Sequence, residues 1–146
     1  MDLESLTALL AGFPGTLIVR GGGDVYAIHD PDGTYEERPR NGWATVVTSD
    51  AHDAASHLDR PGIGYRLNIG LPRERFDEVV DAGGDHDLTT VDVLMPHPVY
   101  AGLGWVCVID PDTTWPEVRG LLAEAHVHAA RHEAARRPRR TREGRT

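Results

Sequence analysis

Thr16-Leu17-Ile18-Val19-Arg20-Gly21-Gly22-Gly23-Asp24-Val25-Tyr26-Ala27-Ile28-His29 decides the fold class. Two runs rich in β-branched residues flank three consecutive glycines. Glycine accepts the positive φ that a tight hairpin turn demands, so strands joined this closely pair antiparallel. Asp30-Pro31-Asp32-Gly33 then predicts a turn, because Pro presets its first corner. Residues 34–42 are polar and read as loop.

Working outward, Trp43 to Thr48 reads as a third strand, and Ser49 or Asp50 can cap a short helical stretch to about Leu58. Asp59-Arg60-Pro61-Gly62 turns the chain. From Ile63 to Ile69 the pattern alternates: Ile63, Tyr65, Leu67 and Ile69 face one way, Gly64, Arg66 and Asn68 the other. Upstream, Asp2 caps a helix in which Leu3, Leu6, Leu9 and Leu10 recur at helical spacing, ending near Gly12. Downstream, Pro72 suits the first turn of a helix carrying Phe76, Val79 and Val80 and ending at Gly83-Gly84. Residues 85–99 fit either a short helix or a strand.

Leu103 to Ile109 is apolar on both faces and predicts an inner strand. Thr114-Trp115-Pro116-Glu117 reads as a capping box opening a last helix, with Val118, Leu121, Leu122, Ala125 and Ala129 on one face. Pro138 ends any helix. The expected architecture is α+β: an antiparallel sheet with helices packed mainly on one face. We expect one domain over residues 1–132 and an arginine-rich tail over 133–146, disordered from 137.

Composition bounds the function classes. The net charge of −8 is uneven. Residues 131–146 hold seven arginines against two glutamates, whereas residues 1–130 hold eight arginines against 21 acids, a net of −13. An acidic body repels nucleic acid, while the tail can attract it, though no aromatics interleave there for base stacking. No apolar run reaches the roughly 18 residues a membrane span needs, and the acidic N-terminus does not read as a signal peptide. We expect a cytoplasmic protein without membrane contact. Cys107 is the single cysteine and its flanks read as buried strand, which favours packing over nucleophilic catalysis.

The sharpest local feature is Pro96-His97-Pro98-Val99-Tyr100, where two prolines stiffen the presentation of an imidazole. Two readings fit. In one, His97 joins Arg66, Asn68 and Trp105 in a polar pocket, with Tyr100, Asp85 and His86 as further lining. Arg66 then forks onto a ligand carboxylate or phosphate and Asn68 orients it. In the other, His97 hydrogen-bonds backbone to pin its own loop, and Arg66 and Asn68 line a solvated face.

Other clusters carry less. Asp85-His86-Asp87 with Asp92, and Asp50, His52 and Asp53 with His57, match no metal-ligand spacing. Glu124, His128 and His132 share a helix face and read as solvated. Gly21-Gly22-Gly23 lacks the Lys-Ser/Thr of a phosphate loop. We therefore expect no metal and no cofactor. The function reads as a non-enzymatic module binding a small anion or a protein. Two alternatives stand beside it: an enzyme with His97 as acid or base and Arg66 as clamp, and a nucleic-acid binder acting through its tail.

Two blocks resemble an uncharacterised bacterial family, domain-of-unknown-function family 6194. One is Val46-Val47-Thr48-Ser49-Asp50 with Ser56-His57-Leu58-Asp59-Arg60-Pro61-Gly62 and Tyr65-Arg66-Leu67-Asn68-Ile69-Gly70. The other is Leu94-Met95-Pro96-His97-Pro98-Val99-Tyr100 with Gly104-Trp105-Val106-Cys107-Val108. The resemblance covers most of residues 1–130 and brings no assigned activity. More distantly, the run Asn68-Ile69-Gly70-Leu71-Pro72, the Pro- and His-containing loop, the Trp-bearing strand and the long final helix resemble MmcQ/YjbR-like proteins. That resemblance implies an α+β fold and DNA binding.

Overall fold

Gly22 and Gly23 both adopt positive φ, 60° and 89°, and close a two-residue turn between β1 (Thr16–Gly21) and β2 (Asp24–His29). Such a turn matches the right-handed twist of the flanking strands. In this computed structural model, which describes residues 1–136, every strand pair is antiparallel. The six-stranded sheet adds β3 (Ala44–Val47), β4 (Arg66–Gly70), β5 (Met95–Pro96) and β6 (Trp105–Ile109) in the order β1-β2-β3-β4-β6-β5. The chain is thus α+β, with β6 an inner strand as its two-sided apolarity predicts.

Strand alternation sorts side chains to two faces. Val25, Ala27, Ala44, Val46, Leu67, Ile69, Val106 and Val108 face a helical layer that supplies Leu6, Leu10, Phe76, Leu121 and Leu122. This layer consists of α1 (Leu3–Ala11), α2 (Arg73–Val79) and α3 (Trp115–Arg136). Asp2 caps α1, its carboxylate accepting the Ser5 N–H at 2.8 Å.

On the opposite face no helix packs among the described residues. The stretch expected as a short helix to Leu58 is instead a series of turns. The Asp50 carboxylate, one of the two expected helix caps, accepts the N–H groups of Leu58 and Asp59 at 2.7 and 3.3 Å, which folds the segment back as a loop. Leu58 and Ile63 from this loop pack on Val47 and Ile109. Loop 48–64 is therefore the second layer over β3, β4 and β6.

Three further differences have local causes. β4 begins at Arg66, because Gly64 and Tyr65 give their N–H groups to the Asp110 carboxylate, both at 2.9 Å. α2 stops at Val79, ahead of the glycines, where Val80 turns extended. The Thr114 hydroxyl does not cap α3; it donates to Asp92 at 2.6 Å. Asp92 also accepts the N–H groups of Asp112, Thr113 and Thr114, so a residue from outside the helix organises its start. The ambiguous segment 85–99 contributes the two-residue β5 and a single parallel bridge from Val91 to Ile109.

At its far end α3 continues through residue 132. Glu133 is nearly buried and accepts from Arg38 Nη2 at 2.6 Å. Residues 137–146, where the disordered tail is expected, lie outside the described residues.

α2 has Phe76 as its one buried residue. Phe76→Ala is expected to cost about 3–5 kcal/mol, read as a lowered denaturant midpoint. Amide exchange over 73–79 is expected to rise beyond that of the sheet.

Candidate functional site

The helix-free face of the sheet carries an unusual row. Register places Tyr26, Thr45, Asn68, Cys107 and Met95 side by side across five strands. The next row holds Val47, Arg66 and Ile109. Because β4 is central and loop 48–64 covers this face, Arg66 and Asn68 are each only 2 % exposed. The solvated-face reading is thereby corrected: the polar side of β4 is as buried as its apolar side.

A buried guanidinium needs partners for its charge and its five donors. Arg66 donates from Nε to Asn68 Oδ1 at 2.9 Å, from Nη1 to Asp53 Oδ1 and Ser56 Oγ, both at 3.0 Å, and from Nη2 to Asp53 Oδ2 at 2.9 Å. Asn68 Nδ2 passes the chain on to Thr45 Oγ1 at 2.9 Å. The fork expected to hold a ligand anion thus holds the chain's own Asp53 in a bidentate pair. The Arg66 hydrogen bonds and charge keep the Asp53 carboxyl below its ordinary range.

His97 is buried at the rim of this cluster. Its Nδ1 accepts the N–H groups of both Val99 and Tyr100 at 3.0 Å. A ring nitrogen that accepts twice carries no proton, so the proton of the neutral ring sits on Nε2. Burial first, and the Arg66 cation second, lower the His97 pKa from 6.5 to about 4, against an opposing pull from Asp53. The ring packs on Tyr100 and, edge-on, on Trp105, with centroids 5.1 and 6.5 Å apart. Gly70 leaves the space for Trp105: a Cβ there would meet the indole at 3.0 Å.

The geometry thus brings Arg66 and Asn68 into one hydrogen-bonded cluster, with His97 at its rim beside Trp105 and Tyr100. It does not bring Asp85 or His86 there. Both are exposed in the loop after α2, where His86 Nε2 bonds the Asp81 carbonyl. Asp53, Ser56 and Thr45 are members that the sequence reading missed. The available signal was Arg66 itself: an arginine inside an apolar inner strand requires a carboxylate, and loop 48–64 lies between its neighbours β3 and β4.

His52 of that loop serves another task. His52 Nε2 lies 2.9 Å from Asp24 Oδ2, and Asp24 also accepts the Thr48 N–H at 2.9 Å. On α3, Glu124 accepts from Arg75 Nε at 2.9 Å. Among the described residues, no group of three or more His, Cys, Asp or Glu side chains is placed to hold a metal ion. Burial pushes the Cys107 thiol up to about 11, so a thiolate is scarce near neutral pH. No helix among the described residues is long and apolar enough to cross a membrane.

A family model described as a family of unknown function, DUF6194, matches residues 1–139. The chain belongs to the DUF6194 family. No curated protein and no solved structure matches it. Arg66, Asp53, Asn68, Ser56 and His97 of this DUF6194 chain all fall within the matched span.

Two outcomes follow from the cluster's chemistry. Asp53→Ala strands a buried cation and is expected to cost about 3 kcal/mol, the lower end of the range for a broken buried pair, because Asp53 retains 19 % side-chain exposure. Arg66→Met with Asp53→Leu removes both charges and is expected to recover most of that loss in urea unfolding.

The second outcome concerns pH. Between about 4 and 6.5 the unfolded chain binds a proton on His97 that the folded chain refuses, so stability falls as pH drops through that window. Asp53 acts in the same sense at lower pH, its contribution being lost as pH falls through its depressed pKa. His97→Asn, which keeps an acceptor and removes the titration, is expected to flatten the stability–pH curve between 6.5 and 4.

Proposed function

We propose that this DUF6194 chain is a non-enzymatic protein-binding module whose docking surface is the rigid, apolar 97–104 loop. One observation carries the reading: the double acceptor at His97 Nδ1 fixes a loop that turns Val99, Tyr100 and Leu103 outward, at 59, 52 and 73 % exposure. Side chains this apolar are seldom grouped on a free surface without a partner. Holding the loop in place beforehand lowers the ordering cost of binding.

Several features support the reading. The Leu103 N–H bonds the Tyr100 carbonyl at 2.9 Å, and Arg73 Nη2 donates to the Gly102 carbonyl, so the loop is tied at its middle as well as at His97. Gly104 takes a φ of 90° where a Cβ would strike the Leu71 carbonyl, which closes the turn into β6. The Arg66 fork is occupied by Asp53, which leaves a small anion no open clamp. A ring with a pKa near 4 and an occupied Nδ1 is a poor base near neutral pH. The body's net charge of −13 favours a partner with a basic rim around an apolar anchor. A bacterial, cytoplasmic setting belongs to the same reading; the distant MmcQ/YjbR likeness goes with the α+β fold, and the acidic body weighs against the DNA binding it implies.

The test pairs two measurements on the full chain. Thermal shift against inorganic phosphate, nucleotides and short carboxylic acids is expected to be flat. Affinity capture from the native host is expected to yield a partner that Val99→Asp and Leu103→Asp each release at least tenfold, with unchanged thermal midpoints. His97→Ala is expected to weaken capture by loosening the loop. An anion that raises the midpoint in the wild type but not in Arg66→Met would overturn the reading. Capture indifferent to Leu103→Asp would also overturn it.

A further inference from the structure

The two edges of the sheet are built differently. β5 is two residues long and contains Pro96, features that blunt an edge against further pairing. β1 is six residues long, Thr-Leu-Ile-Val-Arg-Gly, with no proline, no lysine and no acid. From this contrast and the hydrogen-bond phase of β1 we propose that β1 is a homodimer interface, pairing antiparallel with β1 of a second copy about a twofold axis at Ile18.

The phase comes from the turn. A two-residue hairpin loop makes Gly21 and Asp24 a hydrogen-bonded pair, so the odd residues of β1 direct their N–H and C=O groups toward β2. The Asp30 N–H bond to the Gly15 carbonyl, at 2.7 Å, continues the same phase beyond the strand. Thr16, Ile18 and Arg20 therefore direct six backbone groups outward. No hydrogen bond to any of the six is found among the described residues.

A second β1 set with Ile18 opposite Ile18 places Thr16 opposite Arg20 at both ends and pairs all six groups. Registers that put an even residue opposite an odd one fail, because opposed residues must face the same side.

The side chains fit the same axis. Ile18 and Arg20 line a groove of about 310 Å³ between β1 and α1, together with Glu4, Thr7, Ala8 and Ala11. Ile18 of the second copy enters this groove. The axis also sets Arg20 of the second copy opposite Thr16. On the opposite face Leu17, 36 % exposed, gains Val19 of the second copy as a cross-strand neighbour. Arg20 and Glu4, 3.5 Å apart, leave this edge electrically balanced on an otherwise acidic body, so two copies meet here with little repulsion.

Sedimentation equilibrium of the full chain tests the proposal. The wild type is expected to pass from monomer to dimer between about 1 µM and 0.5 mM, the span of a weak specific interface. Arg20→Pro removes an outward N–H, which an edge strand tolerates, together with the exposed Arg20–Glu4 pair, which contributes little to stability. It is expected to be monomeric throughout with an unchanged thermal midpoint. Leu17→Lys, which leaves the backbone intact, is expected to weaken the dimer at least tenfold. Amide exchange at Ile18 and Arg20 is expected to slow with concentration while Val19 stays protected at all concentrations. A wild type that remains monomeric at 0.5 mM overturns the proposal, whether or not β1 takes up a peptide of another protein. So does a dimer unchanged in both variants.

Discussion

Everything on the helix-free face depends on one buried ion pair. Arg66 projects from the middle of the sheet into a space largely closed to solvent. A cation there is tolerable only if a carboxylate and further acceptors come to it. Asp53 and Ser56 come from loop 48–64, and Asn68 from the next outward-facing position of the same strand. The pair thereby fixes where the loop runs, and the loop in turn buries Leu58 against Val47 and Ile109. A hydrophobic strand face would cover itself with any apolar segment. An arginine at that position accepts only the segment carrying the matching carboxylate, so the pair selects one path for a loop without regular secondary structure.

The same cluster sets the chemistry of its neighbours. Burial, reinforced by the guanidinium charge, keeps His97 neutral, and a neutral ring with its proton on Nε2 can accept two backbone N–H groups at Nδ1. The imidazole thus serves as a fixed acceptor that shapes the 97–104 loop, with the flanking prolines limiting the alternatives. Polar residues that resemble a reactive constellation in sequence are here occupied with one another. The outward-facing chemistry of this edge is apolar, and it belongs to the residues that His97 holds in position.

Much of the fold is legible in the sequence because it rests on local rules. The triple glycine, the Ile63–Ile69 alternation and the apolar stretch ending at Ile109 each state a strand or a turn without reference to distant residues. The segments that were misread depend on distant partners. Ser49 to Leu58 has a helix-capping residue at Asp50, yet that carboxylate bonds N–H groups eight and nine positions on and closes a loop. Thr114 fits a capping box, yet its hydroxyl is taken by Asp92, 22 positions upstream. The site divides in the same way. Residues carried by the strand and the proline-stiffened loop, Arg66, Asn68 and His97, stand out in the sequence. Asp53 and Ser56 sit in a polar loop whose composition matches any solvated turn, and only the three-dimensional path distinguishes them. Asp85 and His86 show the reverse: a conspicuous acidic and histidine run that bonds only locally.

The central claim is that the Arg66 guanidinium is closed on the chain's own groups. The most direct measurement follows the Arg66 Nε–H resonance of ¹⁵N-labelled protein by NMR while inorganic phosphate and then short carboxylic acids are titrated in. The account predicts a single slowly exchanging Nε–H signal, bonded to Asn68, whose shift and exchange rate stay constant across the titration. A saturable shift of that signal, accompanied by faster exchange as Asp53 is displaced, would contradict it.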